Sequence, residues 1–254
     1  MKILVFVSKW VGLKCLDALL TNVFDDEYEF FVMEPDAKLI IEKLNKHNYQ
    51  YKILNDETIN WIESREDGYF DWLLNLWGGY IFKEDMLIKV KNSLNIHPSY
   101  LPYGRGRDPI VWSIRYGFPA GVTLHKITSG VDEGPILYQE EIKYELPITG
   151  GELYERVIER CWKGFSEQWI NIRSRNGKEI KQDNKSIIRT FRREDLIQDN
   201  IINLDEDLEA RDLVARFLAH DFGEKYSIKI ISNNKKYAVR LEFKELNELG
   251  EQNV

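Results

Sequence analysis

Asn95 and His97 stand two residues apart in the stretch Leu94-Asn-Ile-His-Pro-Ser-Tyr-Leu-Pro102, where an apolar run gives way to prolines. On an extended chain that spacing sends both side chains out of one face. An amide donor beside a proton-transfer group suits chemistry in which an oxyanion develops and a proton moves. Spacing alone leaves His97 open between that role and an ordinary strand-end histidine. Asp132 is the best carboxylate to join them. It lies in the glycine-rich loop Thr128–Pro135, after a run (Gly121–Ile127) that reads as a parallel strand. The other reading of Asp132 is a turn aspartate bonded to its own backbone.

The remaining reactive residues point elsewhere. His47 and His220 fall near helix ends, where solvated or dipole-pairing roles are expected, and His125 alternates within a strand and reads as structural. Cys15 and Cys161 sit in apolar helical patterns, as buried, reduced thiols do. There is no His-x-x-x-His, no Cys-x-x-Cys and no clustered ligand set, so no metal is expected. Gly-x-Ser-x-Gly and P-loop patterns are also missing. Only Gly12 follows the first strand, which argues against a nicotinamide cofactor. What is left is general acid–base and electrostatic chemistry.

The elements that must position these groups alternate. Lys2–Val7, Tyr28–Met33, Tyr49–Leu54, Phe70–Trp77 and Ser93–His97 read as strands; Gly12–Leu20, Asp36–His47, Glu57–Ser64 and Lys83–Lys89 read as helices. Such alternation predicts an α/β fold with a doubly wound, mostly parallel sheet, whose ligands gather beyond the carboxyl ends of the strands. Gly78-Gly79 and Asn95–His97 both fall at such ends. Ser8 is a candidate cap for the first helix, and Asp108 with Pro109 for the helix Ile110–Tyr116. Ile136–Tyr144 adds a strand, and Gly150–Arg173 is a long amphipathic helix that should pack across the sheet.

Near residue 175 the texture turns polar, and the chain divides into a domain over 1–180 and a small α+β module over 181–254. The module should hold Ile187–Arg193, a helix near Asp205–His220, and a β-hairpin of Tyr226–Ile231 and Lys236–Phe243 around Ser232-Asn-Asn-Lys235, whose asparagines tolerate positive φ. One hairpin is marginal alone, so it should pack on the main domain or on a second subunit.

Of the 254 residues 43% are hydrophobic and 13% aromatic, ample for a packed core, and no apolar run approaches a membrane span. The first strand runs into polar and basic residues, unlike a signal peptide, and a cytoplasmic location is expected. The net charge of −7, without a long basic block, argues against a nucleic-acid partner but not against a small anionic ligand held by a few arginines.

Three ordered stretches carry a family resemblance: Ser-Leu-Asn-Ile-His-Pro-Ser-Tyr-Leu-Pro at 93–102, Gly-Val-Thr-Leu-His at 121–125 and Gly-Val-Asp-Glu-Gly-Pro-Ile-Leu at 130–137. Together they resemble the 10-formyltetrahydrofolate-dependent formyltransferases, which include methionyl-tRNA formyltransferase, glycinamide ribonucleotide transformylase and the nucleotide-sugar N-formyltransferases. The resemblance covers roughly residues 1–170 in architecture and is densest from 93 to 137. It implies a catalytic trio of Asn95, His97 and Asp132, with a protonated His97 and Asn95 bonding the developing oxyanion. It also implies a pterin pocket from Gly79, Tyr80, Ile81 and Phe82 on one loop and Thr128, Ser129 and Gly130 on another, with 10-formyltetrahydrofolate as cosubstrate.

For the acceptor, residues 185–254 hold 12 Lys/Arg against 14 Asp/Glu, no basic platform for a tRNA. Glycinamide ribonucleotide transformylases usually end near the long helix, whereas this chain continues. The resemblance therefore points to a nucleotide-linked amino sugar, dTDP-4-amino-4,6-dideoxyglucose in particular, for O-antigen or similar glycan synthesis. The C-terminal module would serve nucleotide binding or homodimer formation. Lys9, Trp10, Arg105, Arg107, Arg189 and Tyr226 are the candidate substrate contacts, with the run Arg189-Thr-Phe-Arg-Arg193 offering a stacking ring and charges for a base. That run reads equally as a solvated basic face. A rival from another class is a non-catalytic α/β binding protein.

Overall fold

The computed structural model describes residues 1–21, 24–34, 37–174, 177–183, 189–223, 227–244 and 246. In its first half β1 (Lys2–Val7), α1 (Lys9–Thr21), β2 (Glu27–Val32), α2 (Ala37–Lys46), β3 (Tyr51–Ile53), α3 (Asp56–Glu63), β4 (Trp72–Leu76), α4 (Glu84–Leu87) and β5 (Ser93–His97) alternate as expected. After them come β6 (Arg105–Gly106), α5 (Pro109–Tyr116), β7 (Ala120–His125), β8 (Ile136–Ile142) and α6 (Gly150–Arg173). Seven strands form one sheet in the order β3-β2-β1-β4-β5-β7-β8.

The sheet is parallel from β3 to β5, and its faces are covered on both sides. In β1 the side chains of Ile3, Val5 and Val7 enter one core with α1, α2 and α6, while Leu4 and Phe6 enter another with Ile62 of α3 and Met86 of α4. This two-sided burial is why β1 reads as an unbroken apolar run. The long helix α6 starts as its sequence dictates, with Thr149 and Glu152 closing a capping box.

One strand runs opposite to expectation. β7 is antiparallel to β5, with Asn95 paired to His125 and His97 to Thr123. The segment between them stays beyond the carboxyl edge of the sheet: α5 has eight residues, and the chain re-enters from that same edge instead of crossing back. The expected caps also differ. Ser8 donates its hydroxyl to the carbonyl of Trp77 at 2.7 Å, and Asp108 occupies the N-cap of α5 in a left-handed conformation without a side-chain cap bond.

Beyond α6 the chain returns to the site. β9 (Thr190–Phe191) pairs with β6, directly after the catalytic-candidate strand. Gly106, at φ +87, makes this approach: a Cβ there would lie 2.2 Å from the Phe191 carbonyl oxygen. α7 (Arg193–Asp199) and β10 (Ile201–Asn203) follow, neither anticipated, and then α8 (Ala210–Ala219), β11 (Ile228–Ser232) and β12 (Lys235–Val239). The hairpin β11–β12 turns at Asn233 and Asn234, both at positive φ, and β10 joins it as a third strand. Arg115 of α5 grips Asp199 through two bonds, 2.8 and 3.0 Å long, and Asp212 through a third of 2.6 Å, tying α5 to α7 and α8. No helix among the described residues is long and apolar enough to cross a membrane.

Candidate active site

A cavity of about 1010 Å³ opens beyond the carboxyl ends of the parallel strands. Its floor is a row of polar side chains set by sheet register. Asn75 on β4 is level with Asn95 on β5, and Asn95 with His125 on β7. Phe6 precedes Asn75 in the same row, so the apolar face of β1 becomes polar at β4. Asn75 Nδ2 donates to Asn95 Oδ1 at 2.8 Å, and Asn95 Nδ2 lies 3.0 Å from His125 Nε2.

His97 and Asp132 close this floor. The buried imidazole places Nε2 2.9 Å from the Gly104 carbonyl, which only accepts, so Nε2 carries a proton. Its Nδ1 lies 3.5 Å from Asp132 Oδ2. Burial lowers the His97 pKa from 6.5, and His125 lowers it further, against the partial restoring effect of Asp132 and the Gly104 carbonyl. The lowered pKa favours the uncharged Nε2–H tautomer at rest, with Nδ1 on the Asp132 side. Asp132 is opposite in sense. Burial pushes its carboxyl up, but His97, His125 and the Gly106 N–H outweigh it and hold it well below the usual carboxylate range. That N–H donates to Asp132 Oδ2 at 2.9 Å, and Asn95 Nδ2 is 3.5 Å from Oδ1.

The backbone around the cavity is constrained. Among the described residues seven that are not glycine have positive φ, and four of these, Lys9, Trp77, Asp108 and Asp132, line the cavity. Left-handed backbone is costly for such residues and gathers at sites whose side chains must be aimed. The Asp132 loop is held from behind by Gln182, whose Nε2 donates to the carbonyls of Asp132 (2.8 Å) and Gly134 (2.7 Å) while its Oε1 accepts from Arg105 Nη2 at 2.6 Å.

The sequence-derived residues sort accordingly. Asn95, His97 and Asp132 converge. Gly79, Tyr80, Ile81, Phe82, Thr128, Ser129 and Gly130 all line the cavity, as do Lys9 and Arg107. Ile81 is 69% exposed, whereas Phe82 is buried against Phe6 with ring centroids 5.0 Å apart. Arg105 is a correction: its guanidinium is buried on Gln182 and Glu133, outside the cavity lining. Trp10 and Arg189 do not line it either; Lys14 sits over the Trp10 ring and Arg189 pairs with Asp195. The Phe191 ring stacks on Trp112 at 4.3 Å and is buried, so it offers little face to a base. Tyr226 lies outside the described residues.

Three participants were missed by sequence reasoning. His125, taken as structural, faces the site because β7 is antiparallel. Asn75 looked like part of an apolar strand; a polar residue inside a strand buried on both faces was the available signal. His220 is buried, not solvated, bonds Asp199 at 2.8 Å, and lines the far side of the cavity near Tyr154, Asn200 and Phe222. Cys15 and Cys161 are free and buried, and burial raises both thiols. Among the described residues no His/Cys/Asp/Glu group is arranged to hold a metal ion.

Residues 79–168, which span both cavity loops and the Asn95–His97 and Asp132 positions, match the family model described as formyl transferase. The chain is 40% identical over 73 residues (29% of its length, 31% of the relative's) to dTDP-4-amino-4,6-dideoxyglucose formyltransferase of Mycobacterium tuberculosis. The aligned stretches span 25% to 31% of the length of the first curated relatives matched. Among solved structures, a sugar N-formyltransferase from Shewanella sp. superposes with a TM-score of 0.80 at 18% identity over 97% of this chain and 99% of that one, which shows the shared fold. The formyltransferase PseJ of Anoxybacillus kamchatkensis, solved with UDP-4,6-dideoxy-4-formamido-L-AltNAc and tetrahydrofolate, is 29% identical with a TM-score of 0.54 over 75% of this chain and 86% of that one.

Proposed function

We propose that this chain is an N-formyltransferase that moves a formyl group from 10-formyltetrahydrofolate to the amine of a nucleotide-linked amino sugar. The observation that carries the reading is the convergence of Asn95, His97 and Asp132 on one cavity floor inside the segment that matches the formyl transferase family. The folate and nucleotide sugar in the PseJ structure support the two substrate classes, and the M. tuberculosis relative supports dTDP-4-amino-4,6-dideoxyglucose as the acceptor.

The lining fits the folate. Gly79 has nothing within 4 Å of where a Cβ would stand, so a flat ring has room there, while Ile81 offers an apolar wall and the 128–130 loop backbone groups. When bound, the folate supplies an activated formyl carbon. Asn95 Nδ2, whose bond to Asp132 is long, turns a hydrogen to the formyl oxygen as the acceptor amine attacks and that oxygen becomes negative. His97 Nδ1 takes the proton that the amine loses, and the imidazolium formed is stabilised by the Asp132 carboxylate 3.5 Å away. The same proton is returned to the departing folate nitrogen as its bond to carbon breaks, so His97 ends as it began. Lys9, Arg107, Arg192 and Arg193 around the cavity hold the acceptor's phosphates, the last two from the proposed 181–254 module.

The test follows 10-formyltetrahydrofolate conversion by absorbance against a panel of amino-sugar nucleotides, glycinamide ribonucleotide and charged initiator tRNA. Turnover with an amino-sugar nucleotide is expected; turnover only with one of the other two, or with none, overturns the reading.

A further inference from the structure

Asn75 is buried at the end of β4 and touches neither loop of the proposed folate pocket through an exposed group, yet its amide is fully committed. Gly78 N–H must donate, and it does so to Asn75 Oδ1 at 3.1 Å; the Gly78 carbonyl must accept, and it does so from Asn75 Nδ2 at 3.0 Å. These two backbone groups settle which end of the Asn75 amide is oxygen, an assignment that atom positions alone leave ambiguous. The second Nδ2 hydrogen then goes to Asn95, which must present its oxygen, at 2.8 Å. From the other side, His125 Nδ1 lies 2.7 Å from the Lys126 carbonyl and donates to it; in the neutral ring Nε2 then accepts from Asn95 at 3.0 Å, with Asp132 Oδ1 3.5 Å from the same nitrogen. A reversed Asn95 would set nitrogen against nitrogen at Asn75 and oxygen against the Asp132 carboxylate.

We propose that Asn75 is a positioning residue that fixes the Asn95 amide with its N–H groups toward His125 and Asp132, so that the hydrogen in the long bond to Asp132 is on hand for the oxygen on which charge develops. The inference rests on the formyl-transfer reading of the site and deepens it. Asn75 takes its own orientation from the turn that leads into Gly79–Phe82, so it links the loop proposed to hold the folate to the donor that acts on the formyl oxygen. Gly78 preserves the arrangement, because a Cβ there would lie 2.3 Å from Asn75 Oδ1.

The test compares Asn75→Ala, Asn75→Asp and Asn95→Ala by kcat, KM, thermal unfolding and the Kd of folinic acid. Asn75→Ala should lower kcat on the order of ten-fold with folinic acid binding within about two-fold, the cost of a donor left free to turn. Asn75→Asp keeps an acceptor for the Gly78 N–H but faces Asn95 with a carboxylate, which turns the amide around. Its kcat should fall on the order of a hundred-fold or more, toward that of Asn95→Ala. In the Asn95→Ala background, Asn75→Ala should cost nothing further. An unchanged kcat in folded Asn75→Asp, a loss that adds in full to that of Asn95→Ala, or a weakened folinic acid Kd with kcat intact would each overturn the proposal. Failure of the unmodified chain to turn over any amino-sugar nucleotide would instead overturn the formyl-transfer reading beneath it.

Discussion

His97 and Asp132 lie 3.5 Å apart on the cavity floor; His220 and Asp199 lie 2.8 Å apart where α7 and α8 meet. Both pairs are buried and both join a histidine to a carboxylate, yet their neighbours differ in kind. Asp199 also takes two bonds from Arg115, and its backbone carbonyl takes one from Arg216 at 2.7 Å. Burial pushes the Asp199 carboxyl up, but the His220 bond and Arg115 prevail and bring it down to about 2. The neighbours recorded for His97 are the Gly104 carbonyl, the Asp132 carboxylate and the ring of His125, and neither member of the pair is shown bonded to an arginine among the described residues. Cationic neighbours turn an Asp–His pair into a lock. Neutral neighbours leave it a proton to move.

Substitutions should separate the two pairs. His97→Ala and Asp132→Asn are expected to lower kcat by roughly a hundred-fold or more in folded protein that still binds folinic acid. Near-normal turnover in either variant, followed by absorbance, would contradict the roles assigned here. Asp199→Asn should do the reverse, costing about 3–5 kcal/mol in urea unfolding because Arg115 and His220 lose their shared anion. An unfolding midpoint equal to that of the unmodified protein would show that the α5–α8 tie is not a lock.

The next effects are smaller. Arg107→Ala removes an exposed cavity cation, and should raise the acceptor's KM about ten-fold with little change in kcat. A change confined to kcat would place Arg107 in the chemistry instead. Because burial depresses the His97 pKa, the uncharged imidazole persists below the ordinary histidine value. The acid limb of kcat/KM should therefore bend below pH 6.5, and an inflection above it would reverse the assigned resting state. Linkage gives the matching stability trend. The unfolded chain binds this proton more readily, so the contribution of His97 is full above 6.5 and falls as pH drops through the window beneath it. For Asp199 the window lies lower, with stability present above 3.8 and lost as pH falls through about 2.

How much of this was legible beforehand depended on whether the deciding interaction was local. β1, β5 and α6 match their predicted bounds residue for residue, because continuous apolar runs and a Thr-x-x-Glu cap are written in neighbouring positions. The Asn95–His97 pair was legible for the same reason, since two side chains at i and i+2 need only an extended chain. Asp132 came through resemblance, as spacing offered a turn residue equally well. What escaped depended on strand direction. With β7 read as parallel, His125 had no reason to sit level with Asn95. Arg105 looked like a free cation beside a catalytic strand, and only the return of the chain to Gln182 shows where its guanidinium goes. Phe191 was noticed for its ring, but its partner Trp112 lies far away in sequence.

The most direct measurement of the central claim is mass spectrometry of dTDP-4-amino-4,6-dideoxyglucose incubated with the chain and 10-formyltetrahydrofolate, beside a His97→Ala control. The account predicts a product heavier by one N-linked formyl group, formed by the unmodified chain and nearly absent with the variant. Product formed equally well by both would contradict the assigned floor, and no formylated product from any amino-sugar nucleotide would contradict the function.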